Sequence, residues 1–240
     1  MYEPRFYRDW SQKRDDGLVS FEAVVKETDL YIRAQKNLQK KALNSILKHR
    51  EALEKYISRH PEFLKALEPV ALEKDAPLIV RDMIEFSRTA GVGPMASVAG
   101  AIAEYVGKDL LEFSSEIIVE NGGDIFIKTS KKRLVGVYAG GSAFTKQIAL
   151  EILPEKTPLG ICTSSGTVGP SLSFGRADAA IVVAQSAILA DAAATTVGNA
   201  VNEESDIPKA LEIAQKIPCV RGVIVIKNGK MGAWGDITLA

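Results

Sequence analysis

Hydrophobic residues recur along this chain at two periods, and the period changes from segment to segment. A period of two marks a strand with one buried face, whereas apolar positions three and four apart mark a helix. Leu18–Val25 and Asp29–Ala34 follow the first pattern, with Val19, Phe21 and Ala23 set against Ser20, Glu22 and Val24. Lys26-Glu27-Thr28 joins the two predicted strands. Asn37–Arg59 follows the second pattern: Leu38, Ala42, Ile46, Leu53 and Ile57 share a face, and Asn37 is placed to cap the helix. Pro61–Leu67 predicts a short helix with proline in its first turn. Pro69–Pro77, bounded by prolines and mixed in charge, predicts a linker.

Helical spacing returns at Leu78–Thr89 and Met95–Tyr105, on either side of Ala90-Gly91-Val92-Gly93-Pro94. From Glu116 the period becomes that of strands, over Glu116–Val119, Asp124–Thr129, Leu134–Tyr138, Thr145–Ile152, Leu159–Thr163 and Asp178–Ala184. Ser186–Ala200 and Ile207–Lys216 predict helices. Val220–Ile226 and Met231–Trp234 predict a hairpin around Lys227-Asn228-Gly229-Lys230, Asn-Gly being a strong hairpin dipeptide. Hairpins with helices inserted in blocks predict an α+β fold, antiparallel β-sheets with packed helices, rather than a βαβ repeat. A single domain over residues 1–240 is expected, in which 1–68 adds a hairpin and a long helix to the part that carries the motifs, 78–240.

Composition narrows the function classes. The 30 basic and 30 acidic residues cancel, which argues against a general nucleic-acid or membrane binder. The weakly polar run Ala177–Val201 contains Asp178, Gln185 and Asp191 and is rich in alanine, so it reads as a buried strand and helix rather than a membrane span. The charged, aromatic start lacks the apolar stretch of a signal peptide, so a cytoplasmic location is expected. Cys162 and Cys219 lie in apolar, strand-like runs and are expected to be reduced and buried. His49 and His60, the two histidines, lie in the charged N-terminal helical region and are expected to be exposed. A Ser-His-Asp or Cys-His arrangement would need one of them to reach the C-terminal half. Neither a CxxC nor an HExxH zinc pattern occurs.

Three segments could carry chemistry. Glu120-Asn121-Gly122-Gly123-Asp124 reads either as a tight turn or as a backbone that approaches a ligand closely, with Asp124 as acceptor or metal neighbour. Thr163-Ser164-Ser165-Gly166-Thr167 follows an apolar strand and reads as a solvated loop or as a hydroxyl-rich phosphate cradle. Ala190-Asp191-Ala192-Ala193-Ala194-Thr195-Thr196 places a lone acid among alanines, where burial is costly without a partner. Asp191 and Thr195 share a helix face, and with the Ala194 carbonyl they could offer oxygens to a hard cation. Alternatively, Asp191 lies near a helix start and caps it. A fourth segment, Gly91-Val92-Gly93-Pro94-Met95-Ala96-Ser97, opens a helix whose amides could hold an anion, but it lacks the spacing and the preceding strand of a dinucleotide fingerprint.

The order Asn121-Gly122-Gly123-Asp124-Ile125, then Cys162-Thr163-Ser164-Ser165-Gly166, then Ala190-Asp191-Ala192-Ala193-Ala194-Thr195 resembles the ApbE family, whose pattern runs GGD, TSG, ADALAT. That family comprises flavin transferases that move FMN from FAD onto a protein threonine, and an older label linked it to thiamine biosynthesis. The chain looks most like a shorter branch of the superfamily. The resemblance implies a Mg²⁺ site at Asp191, Ala194 and Thr195, a glycine-rich turn beside the flavin nucleotide at Gly122, Gly123 and Asp124, and a diphosphate loop at Thr163, Ser164, Ser165 and Gly166. FAD and Mg²⁺ are the ligands it implies, with a threonine-bearing target on another chain. Two family features are missing. The stretch Pro170-Ser171-Leu172-Ser173-Phe174-Gly175-Arg176 lacks the family's His and Asp-Pro, and Ser97 stands near the position of a family lysine. Three functions follow for comparison: a Mg²⁺-dependent enzyme acting on FAD or a related diphosphate, a catalytically inactive ligand-binding module of the same fold, and an unrelated α+β scaffold whose motifs are turns and a cap.

Overall fold

The computed structural model describes Arg8 and residues 17–139, 142, 144–145, 148–166 and 173–240. Strands β1 (Val19–Val25) and β2 (Thr28–Ala34) lead into helices α1 (Gln39–Arg59), α2 (Pro61–Lys65), α3 (Leu78–Ala90) and α4 (Val98–Leu110). Strands β3 (Ile117–Asn121), β4 (Asp124–Lys128), β5 (Arg133–Gly136), β6 (Ala149–Ile152), β7 (Leu159–Ser164) and β8 (Ala179–Ala184) follow. Helices α5 (Ala187–Asn199) and α6 (Ile207–Lys216) and strands β9 (Val220–Lys227) and β10 (Lys230–Gly235) close the chain.

Eight of these strands form one sheet in the order β1-β2-β3-β4-β7-β8-β9-β10, and each neighbouring pair is antiparallel. The α+β expectation is met. Helices cover one face: α1 lies over β1, α4 over β3 and β4, α5 over β7 and β8, and α6 over β9 and β10. The pair β5–β6 covers the other face, where Leu150 and Ile152 meet Ile127, Leu159, Ile161, Ile181 and Ile224. The backbone of 238–240 continues that small sheet, Glu151 N donating to Thr238 O at 2.9 Å. Being covered on both sides, β8 is buried along its whole length, which explains its unbroken apolar run. Along β7 the alternation sorts Leu159 and Ile161 to the β5–β6 side and Cys162 to the helices.

Several boundaries differ from those predicted. The third long helix begins at Val98 and runs to Leu110, because Pro94–Ser97 first form a 3₁₀ turn fastened by Ser97 Oγ on Pro94 O at 2.8 Å. Among the described residues, the predicted strand Thr145–Ile152 forms a ladder over Ala149–Ile152, and that predicted at Leu134–Tyr138 spans Arg133–Gly136. Asn37 sits one residue before the cap position of α1 and bonds Gln39 N at 2.9 Å.

Two expectations of exposure reverse. His49 is buried, not exposed, because it continues the spacing Ala42, Ile46, Leu53 on the inner face of α1. There its Nε2 lies 2.9 Å from Asp109 and its ring meets Tyr105 edge-on. Burial lowers its pKa. Cys219 is exposed, because it occupies a turn ahead of β9 with φ of 66° and never enters the strand. Both cysteines are free thiols.

Candidate functional site

The tip of the β3–β4 hairpin is a two-residue turn with positive φ at both Gly122 (69°) and Gly123 (107°), a geometry that favours glycine. Asn121 and Asp124 are its closing pair. A polar chain pins the tip. Gly123 N donates to Glu120 Oε1 at 2.8 Å, and Arg8 Nε binds Glu120 Oε2 at 2.7 Å while its Nη1 reaches Asp29 at 2.9 Å. Asp124 is buried, and Thr163 N of β7 donates to its Oδ1 at 3.3 Å.

Opposite this tip, α4 and α5 begin side by side. Hydrogen is the only side chain that fits at their contact: a Cβ on Gly100 would stand 2.2 Å from Ala187 O and 2.9 Å from Asp191 Cβ. A Cβ on Gly160 of β7 would stand 2.2 Å from Ala187 Cα. The run of small residues in α5 thus lets a helix, a strand and a second helix approach to backbone distance.

Each of the two helices has its first amides satisfied by an acid from the other. Gly100 N of α4 donates to Asp191 Oδ2 of α5 at 2.8 Å. Ala187 N and Ser186 Oγ at the start of α5 donate to Glu104 Oε2 of α4 at 2.6 and 2.7 Å. Orphan helix-start amides and the positive end of the helix dipole favour a carboxylate at both places. Asp191 therefore caps a helix, but not its own. It is the fifth residue of α5, which Ser186 caps by accepting from Ile188 N. The amides that take the Asp191 carboxylate, those of Gly100 and Ala99, lie just beyond the Gly91–Ser97 segment whose amides could hold an anion. Ser97 is fully buried and bonded to Ser87 and Pro94.

Asp191 and Asp124 are close enough to act on each other electrostatically, and Cys162 is close to both. Burial pushes the Asp191 carboxyl pKa well up, the negative charge of Asp124 adds to that, and the Gly100 and Ala99 amides work against it. Burial, followed by the charges of Asp124 and Asp191, pushes the Cys162 thiol pKa well up, and its Sγ donates to Ala187 O at 3.3 Å. Asn121 Nδ2 completes the link between hairpin and helix by donating to Ala99 O at 3.1 Å.

Of the residues marked in the sequence, Asp124 and Thr163 are thus bonded to each other, and Asp191, bonded at the start of α4, is near enough to Asp124 for their charges to interact. Thr195 lies one turn beyond Asp191 on the same face of α5. Ala194 is fully buried inside α5, where backbone carbonyls serve the helical ladder. Ser164 ends β7, and Ser165 follows it. Gly166 is exposed, but its amide is taken by Ala177 O at 2.9 Å. Thr167 and Pro170-Ser171-Leu172 fall outside the described residues, while Arg176 is exposed. Glu104, Arg8, Asn121 and the placement of Cys162 were not anticipated. Glu104 had a signal of the same kind as Asp191, a single acid inside the apolar run Ala101-Ile102-Ala103-Glu104-Tyr105-Val106.

The donor set fits a hard cation. Two carboxylates that resist shared burial would gain from a positive charge between them, and Thr195 adds a hydroxyl. Among the described residues no three His, Cys, Asp or Glu side chains form a ready metal cage. Such a cation would take the rest of its oxygens from a ligand, as Mg²⁺ does when phosphates complete its shell. Among the described residues no helix is long and apolar enough to cross a membrane.

Comparison with known proteins bears on the family and the fold. A family model described as AbpE bacteria matches residues 8–230. A UPF0280 protein of Methanocaldococcus jannaschii is 46% identical over 220 residues, covering 89% of each chain. A UPF0280 protein of Methanocella arvoryzae is 41% identical over 214 residues, covering 89% of this chain and 87% of that one. Among solved structures, the flavin transferase ApbE of Vibrio cholerae aligns with TM-score 0.56 at 12% identity, over 91% of this chain and 96% of that one. The ApbE protein of Thermotoga maritima aligns with TM-score 0.57 at 12% identity, over 92% and 96%. At that identity the structural likeness concerns the fold.

Proposed function

The chain belongs to the ApbE-like family of that model, and from this premise we propose that it is a Mg²⁺-dependent binding protein for a flavin nucleotide, with FAD as the ligand. The observation that carries the reading is that buried Asp124, bonded to the end of β7 beside the Gly122-Gly123 turn, and Asp191, bonded to Gly100 N at the start of α4, lie within electrostatic reach of each other. In this reading Asp191, with Thr195 and the Ala194 carbonyl, holds Mg²⁺, and Asp124 faces it from the hairpin. Gly122 and Gly123 let the nucleotide approach the backbone. Thr163, Ser164, Ser165 and Gly166 line the diphosphate, mainly through hydroxyls, because the Gly166 amide is already engaged. When bound, Mg²⁺ supplies charge neutralisation to the diphosphate. The chain's own groups orient the ligand and exclude water from it. Transfer of FMN to a protein threonine is the family chemistry this site would carry out, and a cytoplasmic location goes with the reading.

A second reading, ligand binding without transfer, is favoured by the histidines. His49 is committed to Asp109 between α1 and α4, and His60 ends α1, so neither serves the site. Titration of FAD into metal-stripped protein, followed by flavin fluorescence with and without Mg²⁺, tests both. Saturable binding that tightens with Mg²⁺ is the expected result. A transferred product detected by mass spectrometry on an added threonine-bearing acceptor then selects the enzyme, and its absence selects the binding module. No binding under either condition would refute the proposal.

A further inference from the structure

We propose that Glu104 is a positioning residue for the site: its carboxylate fixes the start of α5 and thereby sets where Asp191 stands. The inference deepens the functional reading above and rests on it for its ligand-dependent half. Glu104 is 4% exposed, yet no backbone group of its own helix needs its side chain. Its Oε2 accepts from Ser186 Oγ at 2.7 Å, Ala187 N at 2.6 Å and Ile188 N at 3.4 Å, all at the first turn of α5. Its Oε1 faces outward to Lys108 Nζ at 2.7 Å.

Asp191 stands one turn along α5 from Ala187, as Glu104 stands one turn along α4 from Gly100. The two acids therefore form a reciprocal pair around the Gly100–Ala187 contact, and the pair fixes how far one helix can slide along the other. Van der Waals contact alone does not set that coordinate, because a surface of alanine and glycine offers few ridges to interlock. The charge-assisted bonds at Glu104 do set it. Releasing them frees the start of α5, including Ala187 O, the acceptor of the Cys162 thiol. Cys162 is thus a reporter, inside the site, of whether α5 is in place.

The test uses the full chain carrying Cys219→Ser, which removes the exposed thiol and leaves Cys162 alone to react. Labelling of Cys162 by a thiol reagent is followed at denaturant concentrations well below the unfolding midpoint, for Glu104, Glu104→Gln and Glu104→Ala. Glu104→Ala is expected to speed labelling about tenfold in this range, the equivalent of about 1.4 kcal/mol. Glu104→Gln, which keeps one carbonyl acceptor, is expected to recover part of the protection, and it carries the test if the alanine variant does not fold. The same variants are expected to raise the Mg²⁺ concentration that half-saturates FAD binding by about tenfold. Lys108→Ala, which removes the outward ion pair together with a surface contact of the ammonium over the Tyr105 ring at 5.8 Å, is expected to alter neither readout.

Labelling that rises only in step with global unfolding would overturn the inference, since Glu104 would then stabilise the fold without governing α5. Faster local labelling with an unchanged Mg²⁺ requirement would overturn it as well, because α5 would have moved without consequence for Asp191. If the unsubstituted protein binds no FAD, the functional reading fails, and the thiol experiment alone decides whether Glu104 places the helix.

Discussion

The two acids of the candidate site are held by different means. Asp191 stands on α5, where Gly100, Gly160 and Ala187 bring three backbones together and leave no room for a side chain. Asp124 stands on the β3–β4 hairpin, which is fastened at both ends by buried ion pairs, Glu120 with Arg8 at the tip and Glu116 with Arg133 at the base. Volume sets how closely the helical arm approaches its neighbours, while the Glu104 carboxylate sets its register along α4; the hairpin arm is held by charge. The difference teaches what each arm tolerates: only the helical arm should fail when atoms are added at its contact, whereas the hairpin arm should loosen when its buried cations are removed.

The sharpest break separates the two roles of Asp191. Asp191→Asn keeps an oxygen to accept from Gly100 N and removes the charge that burial and Asp124 oppose. Its midpoint in urea is expected at or above that of the unsubstituted protein. Its FAD affinity in Mg²⁺ should fall about a hundredfold, or about 2.7 kcal/mol. A lowered midpoint with unchanged FAD binding would leave Asp191 as a cap only. Next in size is Gly100→Ala, whose methyl would meet backbone rather than a movable side chain, so urea denaturation should show a loss of about 2–3 kcal/mol.

The hairpin arm is broken by Arg8→Ala, which leaves Glu120 and Asp29 without their buried cation. The expected loss is about 2 kcal/mol, at the low end for a buried pair because water can enter where the side chain leaves. Faster hydrogen exchange should be concentrated in 117–128, and exchange speeded equally across β8 and β9 would contradict the local role. The smallest effect is a pH dependence. Bonds from Arg133, Ser130 and Thr129 outweigh the burial of Glu116 and bring its pKa from 4.5 down to about 2. As the pH falls below 4.5 the unfolded chain takes up a proton that the folded one refuses until about pH 2, so stability present above 4.5 drains away across that window. The loss by about pH 3 should be about 1–2 kcal/mol, and Glu116→Gln should flatten it. An equally steep acid limb in that variant would assign the effect to other groups.

Most elements were legible in the sequence because strand and helix periods are local. The alternation of β1 and the inner face of α1 needed no knowledge of partners, and Asn228-Gly229 announced the β9–β10 turn. The ordered trio of motifs led to the family; Asp124 and Thr163 are bonded to each other, and the charges of Asp124 and Asp191 interact. The reading stopped short wherever a residue answers to something distant. Glu104 and Asp191 both look like isolated acids in apolar helices, and only the packing reveals that each serves the other's helix. Arg8 lies far from Glu120 in sequence and carries no pattern of its own. His49 is buried within a charged helix because its place on the inner face, not the charge of its neighbours, decides its exposure. Cys219 is exposed because it sits in a turn, although a turn residue beside a strand shares the strand's composition.

The exchange of caps also bears on the order in which the molecule comes into being. Gly100 and Asp191 are 91 positions apart, and Glu104 and Ser186 are 82. Hairpins such as β1–β2 and β9–β10 close over a few residues, but α4 waits for α5 to arrive before its first turn is complete. Contacts at long sequence separation form slowly, since loop entropy must be overcome first. In refolding, then, the local hairpins should be recovered early. Protection of Cys162, and with it the competence to bind, should belong to the final phase.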